Sequence, residues 1–220
     1  MGQVAILGGT FDPIHWGHLL LAQTALSQLN LDRVIWVPAY RPPHKRGLAY
    51  EHRRLMVESA IADNPAFEVV QMKTAYTKPD YAIETLTYLQ DTYPEHQWYW
   101  IVGLDAFQTL PLWYCREKLI PACHWLVAPR PVPIAGTDTL FTHTDSTQQG
   151  RSIPESRLCQ QVVQQLAFQH IPIRWQLLQM PLISISSSLI RQYCRQRRSI
   201  RYLVPEDVRA YIATHKLYLN

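Results

Sequence analysis

The sequence predicts an α/β protein: a parallel sheet wound by helices on both faces, further helices after the last strand, and a loop–helix segment interrupting the pattern. Three observations carry that expectation. Short apolar runs alternate with segments of helical periodicity over the first two-thirds of the chain, the mark of repeated βαβ units. The first run, residues 4–7, is continuously apolar, as a strand covered on both faces must be. Turns containing Gly8-Gly9 and Gly103 directly follow two of the runs. They therefore fall at the carboxyl edge of the sheet, where such folds bind ligands.

After the first strand, the Gly-rich turn leads into a helix whose Ala22, Ala25, Leu26 and Leu29 share one face. Residues 33–37 form a second buried strand ended by Pro38. Residues 39–47, with Pro42, Pro43 and Gly47, form a loop. A helix over 51–63 groups Val57, Ala60 and Ile61, and a strand follows at 67–70. Asp80 stands where it can cap a helix in which Ile83, Leu86 and Leu89 or Gln90 recur. Strands are expected at 98–102 and 124–128. Between 129 and 150 the regularity breaks in a run rich in Pro, Gly, Ser and Thr, and 154–169 reads as an isolated helix striped by Leu158, Val162 and Leu166. A last strand near 175–178 precedes two helices, one starting near Ser187 and one at Pro205, a favourable first-turn residue.

Composition narrows the class. With 47% hydrophobic and 17% charged residues, disorder is excluded, and 220 residues suit one domain. The net charge of +4 suits anionic ligands such as nucleotides but requires neither DNA nor a membrane. Cys115, Cys123, Cys159 and Cys194 contain no Cys-x-x-Cys pair and match no disulfide framework or zinc site. No apolar stretch approaches the about 18 residues of a membrane span, and the first strand is too short for a signal peptide. A cytoplasmic protein with reduced, mostly structural thiols is expected.

Chemistry concentrates first in Gly8-Gly9-Thr10-Phe11-Asp12-Pro13-Ile14-His15-Trp16-Gly17-His18. His15 and His18 are three residues apart where loop becomes helix, on one face of the first turn. Free N–H groups and the positive dipole end favour an anion there. Gly8 and Gly9, and Gly17 at the helix start, let backbone approach a ligand closely. Two imidazoles can donate to phosphate oxygens as charge builds up. Each piece also has a bland reading: one His near a helix start is often a cap, and a Gly-Gly turn is neither a Gly-x-Gly-x-x-Gly nor a Walker loop. His-x-x-His as half of a metal site lacks further ligands, so no metal residues are assigned.

A second constellation, Ile185-Ser186-Ser187-Ser188-Leu189-Ile190-Arg191, opens another predicted helix. Its serines can cap orphan N–H groups or donate to a phosphate, and Arg191 can grip two oxygens with its planar fork. A plain serine cap with a surface arginine is the alternative. Arg191, Arg195 and Arg198 share a face with Arg197 and Arg201 nearby. Without aromatic interleaving, this reads as a solvated face beside a phosphate site rather than a nucleic-acid stripe.

Taken whole, the first string resembles the Gly-x-Phe-x-Pro-x-His-x-Gly-His signature of the adenylyl- and cytidylyltransferase superfamily, with Gly9, Phe11, Pro13, His15, Gly17 and His18 at the matching positions. The second resembles that superfamily's Ile-Ser-Ser-Thr-x-Ile-Arg, with Ser188 in place of Thr. Three further stretches resemble bacterial nicotinate-nucleotide adenylyltransferases: Val37-Pro38 with Pro42-Pro43-His44-Lys45; Ile101-Val102-Gly103-Leu104-Asp105 with Leu110-Pro111-Leu112-Trp113-Tyr114; and the ending Tyr202-Leu203-Val204-Pro205-Glu206-Asp207-Val208-Arg209-Ala210-Tyr211-Ile212.

The resemblance implies a Rossmann-like fold and the transfer of AMP from ATP to nicotinate mononucleotide. It implies catalytic roles for His15, His18, Lys45 and Arg191, and Mg²⁺ bound only through the ATP phosphates. ATP would lie against Gly8, Gly9, Thr10, Phe11, Gly17, Ser187 and Ser188, with its ribose on Gly103 and Asp105. The acceptor would meet Asp12, Tyr81, Ala82 and Trp113, the indole stacking on the pyridine ring. Lys45 as a solvated loop charge, Asp105 as a helix cap and Trp113 as a core aromatic are the structural alternatives.

Two departures stand out. The family's Ser-Tyr-Thr before the helix that meets the nicotinate carboxylate is Asp80-Tyr81-Ala82 here, which leaves the choice between acid and amide mononucleotide open. The segment from about 131 to 171 is longer than the family's usual link, so the chain reads as one domain, 1–220, with an insertion there. Rival readings are the same chemistry on nicotinamide mononucleotide or phosphopantetheine, and a nucleotide sensor without turnover. No membrane partner is expected, nucleic acid is disfavoured, and a homo-oligomer is left open.

Overall fold

A computed structural model describes residues 2–41, 47–71, 81–129, 155–181 and 183–219. Six parallel strands form one sheet: β1 (Gln3–Gly9), β2 (Arg33–Pro38), β3 (Phe67–Val69), β4 (Gln97–Gly103), β5 (His124–Ala128) and β6 (Arg174–Leu177). Their order is β3-β2-β1-β4-β5-β6. The chain winds outward from β1 in one direction and from β4 in the other, so the switch in direction lies between these two strands.

Alternation along each strand sorts side chains to the two faces. Ala5 and Leu7 of β1, with Tyr99 and Ile101 of β4, join one buried cluster. Val4 and Ile6, with Trp98, Trp100 and Val102, join the other. Helices α1 (Trp16–Gln28) and α2 (Tyr50–Ile61) cover the first face through Ala22, Ala25, Met56 and Val57, joined by α7 (Ser187–Arg195) and α8 (Glu206–Thr214). The second face is covered by α3 (Ala82–Thr92), α4 (Leu104–Thr109), α5 (Arg116–Ala122) and α6 (Glu155–Phe168). This is the expected α/β, Rossmann-like doubly wound parallel sheet.

Several expectations are adjusted. Pro38 does not merely end β2. It pairs with Gly9 as the strand's last residue, where the missing N–H costs least. Position 80 lies outside the described residues, and the N-cap of α3 is Tyr81, with no side-chain cap. Leu89, not Gln90, completes the buried stripe of α3. Helix α6 is not isolated: Cys159, Val162 and Leu166, at helical spacing, bury against the second face, making it the crossover between β5 and β6. Positions 130–154 lie outside the described residues.

Cys123, Cys159 and Cys194 are buried and all four cysteines are unpaired. Burial pushes the Cys123 thiol up to about 12 and that of Cys159 up to about 11, so both are inert at neutral pH. Among the described residues, no helix is long and apolar enough to cross a membrane.

Candidate active site

The carboxyl ends of β1 and β4 open onto a cleft of about 860 Å³. Parallel strands leave it there because their crossovers depart to opposite faces at the switch point. The loop after β1 crosses its floor. Phe11 has a positive φ of 48° and is buried, its ring 5.1 Å edge-on from His18 and 5.4 Å from Trp36. A side chain on Gly9 would begin only 3.0 Å from the Phe11 ring. Gly9 and Phe11 therefore act as a packing pair beside His18.

His15 is the N-cap residue of α1 and its N–H donates to His18 Nδ1 at 3.3 Å. Accepting at Nδ1 fixes the His18 proton on Nε2. The two rings stack with centroids 3.7 Å apart. Gly17 makes this possible in an unexpected way: a Cβ there would stand 3.0 Å from the His15 ring, so its space is taken by imidazole rather than by ligand.

Burial lowers the His15 pKa from 6.5 to about 4, so the ring is neutral at pH 7. The sign of the consequence follows from linkage. Between these values the unfolded chain binds the extra proton, so this part of the stability is full above pH 6.5 and is lost as pH falls through about 4. Unfolding in denaturant at pH 7 and pH 4.5 should show a loss on the order of 2 kcal/mol that His15→Asn does not show. Equal pH sensitivity in both proteins would contradict the assignment.

The second signature closes the site from the other side. Ser186 is the true N-cap of α7, its Oγ accepting from Leu189 N at 3.2 Å. Ser187 Oγ donates to Pro13 O at 2.9 Å, and Arg191 Nη1 donates to Asp12 O at 2.7 Å. Arg191 Nη2 donates to Ser188 Oγ at 3.2 Å. Segments about 175 positions apart are thereby fastened together, as the 174 positions of Ser187 and Pro13 illustrate.

Asp12, expected on the acceptor, lines the cleft. Its carboxylate is buried and turned inward: Oδ1 accepts from Tyr218 Oη at 2.7 Å and Oδ2 from Leu48 N at 3.4 Å. At the opposite end of the cleft, Trp113 stands edge-on to Trp100 and Trp125, with Nε1 donating to Thr109 Oγ1 at 3.0 Å. The uncapped start of α3 brings Tyr81 and Ala82 to this end, Tyr81 packing 4.6 Å from Tyr114. Gly8, Thr10, Gly103 and Asp105 also line the cleft, and a Cβ on Gly103 would enter open space. Thus every expected site residue within the described segments borders one cleft; Lys45 lies outside them.

With this geometry in view, similarity to known proteins is decisive. The Cytidylyltransferase-like family matches residues 6–193. A probable nicotinate-nucleotide adenylyltransferase of Trichormus variabilis is 52% identical over 219 residues, covering 99% of this chain and 98% of that one. The chain belongs to the nicotinate-nucleotide adenylyltransferase family. A second such relative, from a Synechococcus species, is 41% identical over 221 residues, covering 99% of this chain and 95% of its own. Plasmodium falciparum nicotinic acid mononucleotide adenylyltransferase complexed with NaAD has the same fold, with a TM-score of 0.71 at 19% identity over 99% of this chain and 98% of that one.

Within this adenylyltransferase fold, the motifs give no pointer to Arg53. Its side chain is 2% exposed, and its guanidinium donates to Leu48 O at 2.9 Å, Thr10 O at 2.6 Å and Ala39 O at 2.7 Å. One arginine thus gathers the β1 loop, the exit of β2 and the start of α2. The available signal was an arginine on the apolar stripe of α2, three residues after Tyr50 and four before Val57.

Proposed function

We propose that this enzyme transfers AMP from ATP to nicotinate mononucleotide, giving deamido-NAD and pyrophosphate. The observation that carries the reading is the meeting of two phosphate-type signatures, through Ser187 with Pro13 and Arg191 with Asp12, at one end of a cleft whose other end holds Trp113 and the start of α3. An oxygen of the mononucleotide phosphate attacks the ATP α-phosphorus. The new P–O bond forms as the α–β bridge breaks, and the electron pair leaves on pyrophosphate.

The nucleophile is already an anion, so the protein need only position and stabilise. His18, with its proton on Nε2, and neutral His15 donate to the α-phosphoryl and leaving oxygens. Ser187, Ser188, Arg191 and Lys45 hold the pyrophosphate portion. The Gly8, Gly9 and Thr10 backbone cradles the phosphates, and Gly103 and Asp105 take the ribose. Trp113 stacks on the pyridine, while the N–H groups at Ala82 and the start of α3 receive the carboxylate.

Among the described residues no three His, Cys, Asp or Glu side chains form a cation cage, and the cleft offers donors suited to phosphate. As the family resemblance implies, Mg²⁺ would enter as part of the MgATP substrate, where it would neutralise phosphate charge. Unpaired buried thiols fit the reducing cytoplasm in which we place the protein.

Steady-state rates with nicotinate mononucleotide, nicotinamide mononucleotide and phosphopantetheine test the acceptor. A preference of about 10-fold or more in kcat/KM for the acid over the amide is expected from a charge-assisted hydrogen bond at α3. Preference for the amide would mean that Ala82 has re-tuned this end. Turnover of none of the three would sink the proposal and favour a sensor.

A further inference from the structure

The segment following α8 ends on the signature loop. Leu217 is buried in the first core cluster and its N–H donates to Ile212 O at 3.0 Å. One residue later, the Tyr218 hydroxyl donates to Asp12 Oδ1 across 206 positions of sequence. Burial first, and then this bond to Asp12, push the phenol well above its usual pKa, so it stays a donor.

The environment of the Asp12 carboxylate gives this contact its meaning. Asp12 is only 6% exposed, so its carboxylate needs donors, and among the described residues Arg191 faces it with Nη1 4.0 Å from Oδ2. Yet Arg191 makes its short bond to the Asp12 carbonyl, at 2.7 Å, and not to the carboxylate. Leu48 N satisfies Oδ2 weakly at 3.4 Å, and Gly47 packs so closely that a Cβ there would stand 2.5 Å from that oxygen.

We propose that Tyr218 is a positioning residue for ATP: by occupying Oδ1 it keeps the Asp12 carboxylate from capturing Arg191, and so leaves the guanidinium aimed at phosphate. The proposal rests on the reading of the cleft as an ATP site. Remove the hydroxyl, and the carboxylate recruits the guanidinium into a direct ion pair that competes with the ligand.

Tyr218→Phe deletes the hydroxyl and keeps the ring. Its KM for ATP should rise about 10-fold, the worth of a lost charge-assisted contact, while the KM for the mononucleotide stays within about 2-fold. The double variant Asp12→Asn/Tyr218→Phe has no carboxylate to trap Arg191 and should bind ATP more tightly than Tyr218→Phe alone. Equal changes in both KM values, an unchanged KM for ATP, or a double variant no better than the single one would overturn the proposal. Arg191→Ala separates the two claims. If it leaves ATP binding as in the parent, the reading of the ATP site itself fails; if it weakens ATP and Tyr218→Phe does not, only the positioning role fails.

Discussion

Replacing His18 with alanine is expected to lower turnover by on the order of 100-fold or more, with substrate KM values changed far less. The imidazole is held before substrate arrives. Its Nδ1 accepts from His15 N, its ring stacks at 3.7 Å on His15, and the Phe11 edge packs against it at 5.1 Å. A donor fixed in this way needs no reorganisation when charge develops, which is why its loss falls on kcat. Pyrophosphate release at saturating substrates reads the effect, and turnover within about 3-fold of the parent would remove His18 from the catalytic set.

The second large effect is on folding. Arg53→Ala should destabilise the protein by roughly 3–5 kcal/mol, because three carbonyls lose their donor in a site closed to water. Thr10 belongs to the β1–α1 connection and Ala39 and Leu48 to the two ends of the β2–α2 connection, and the guanidinium is what they share. Arg53→Met restores most of the stem's packing but none of the bonds, so it should recover only about 1 kcal/mol of that loss. Equilibrium unfolding in urea distinguishes these cases. Alanine and parent agreeing within about 0.5 kcal/mol would show that the carbonyls find other partners.

What was legible in the sequence followed periodic or local patterns. The strands and their parallel pairing could be anticipated because each apolar run and each helical stripe is a local signal, and the carboxyl-edge turns inherit their place from it. The two signatures were legible because each is contiguous. Helix α6 read as isolated because the Pro-, Ser- and Thr-rich run before it broke the strand–helix spacing, although its own stripe of Leu158, Val162 and Leu166 was visible.

Roles set by contacts between distant segments were not legible. Arg53 works on backbone carbonyls, which leave no trace in side-chain pattern. Tyr218 finds Asp12 206 positions away, and nothing local to Asp12 announces that its carboxylate accepts from Tyr218 and Leu48. Gly17 was legible as a glycine needed for close approach; that the approaching group is the His15 ring required the third dimension.

The central claim is that adenylyl transfer occurs in this cleft. It is tested most directly by following the label from ATP carrying ³²P at the α or the γ position, with nicotinate mononucleotide as acceptor. The account predicts α-label in the dinucleotide product and γ-label only in pyrophosphate, with both transfers lost together in Arg191→Ala. Label from the γ position in the acceptor, or no α-label in any dinucleotide, would contradict it.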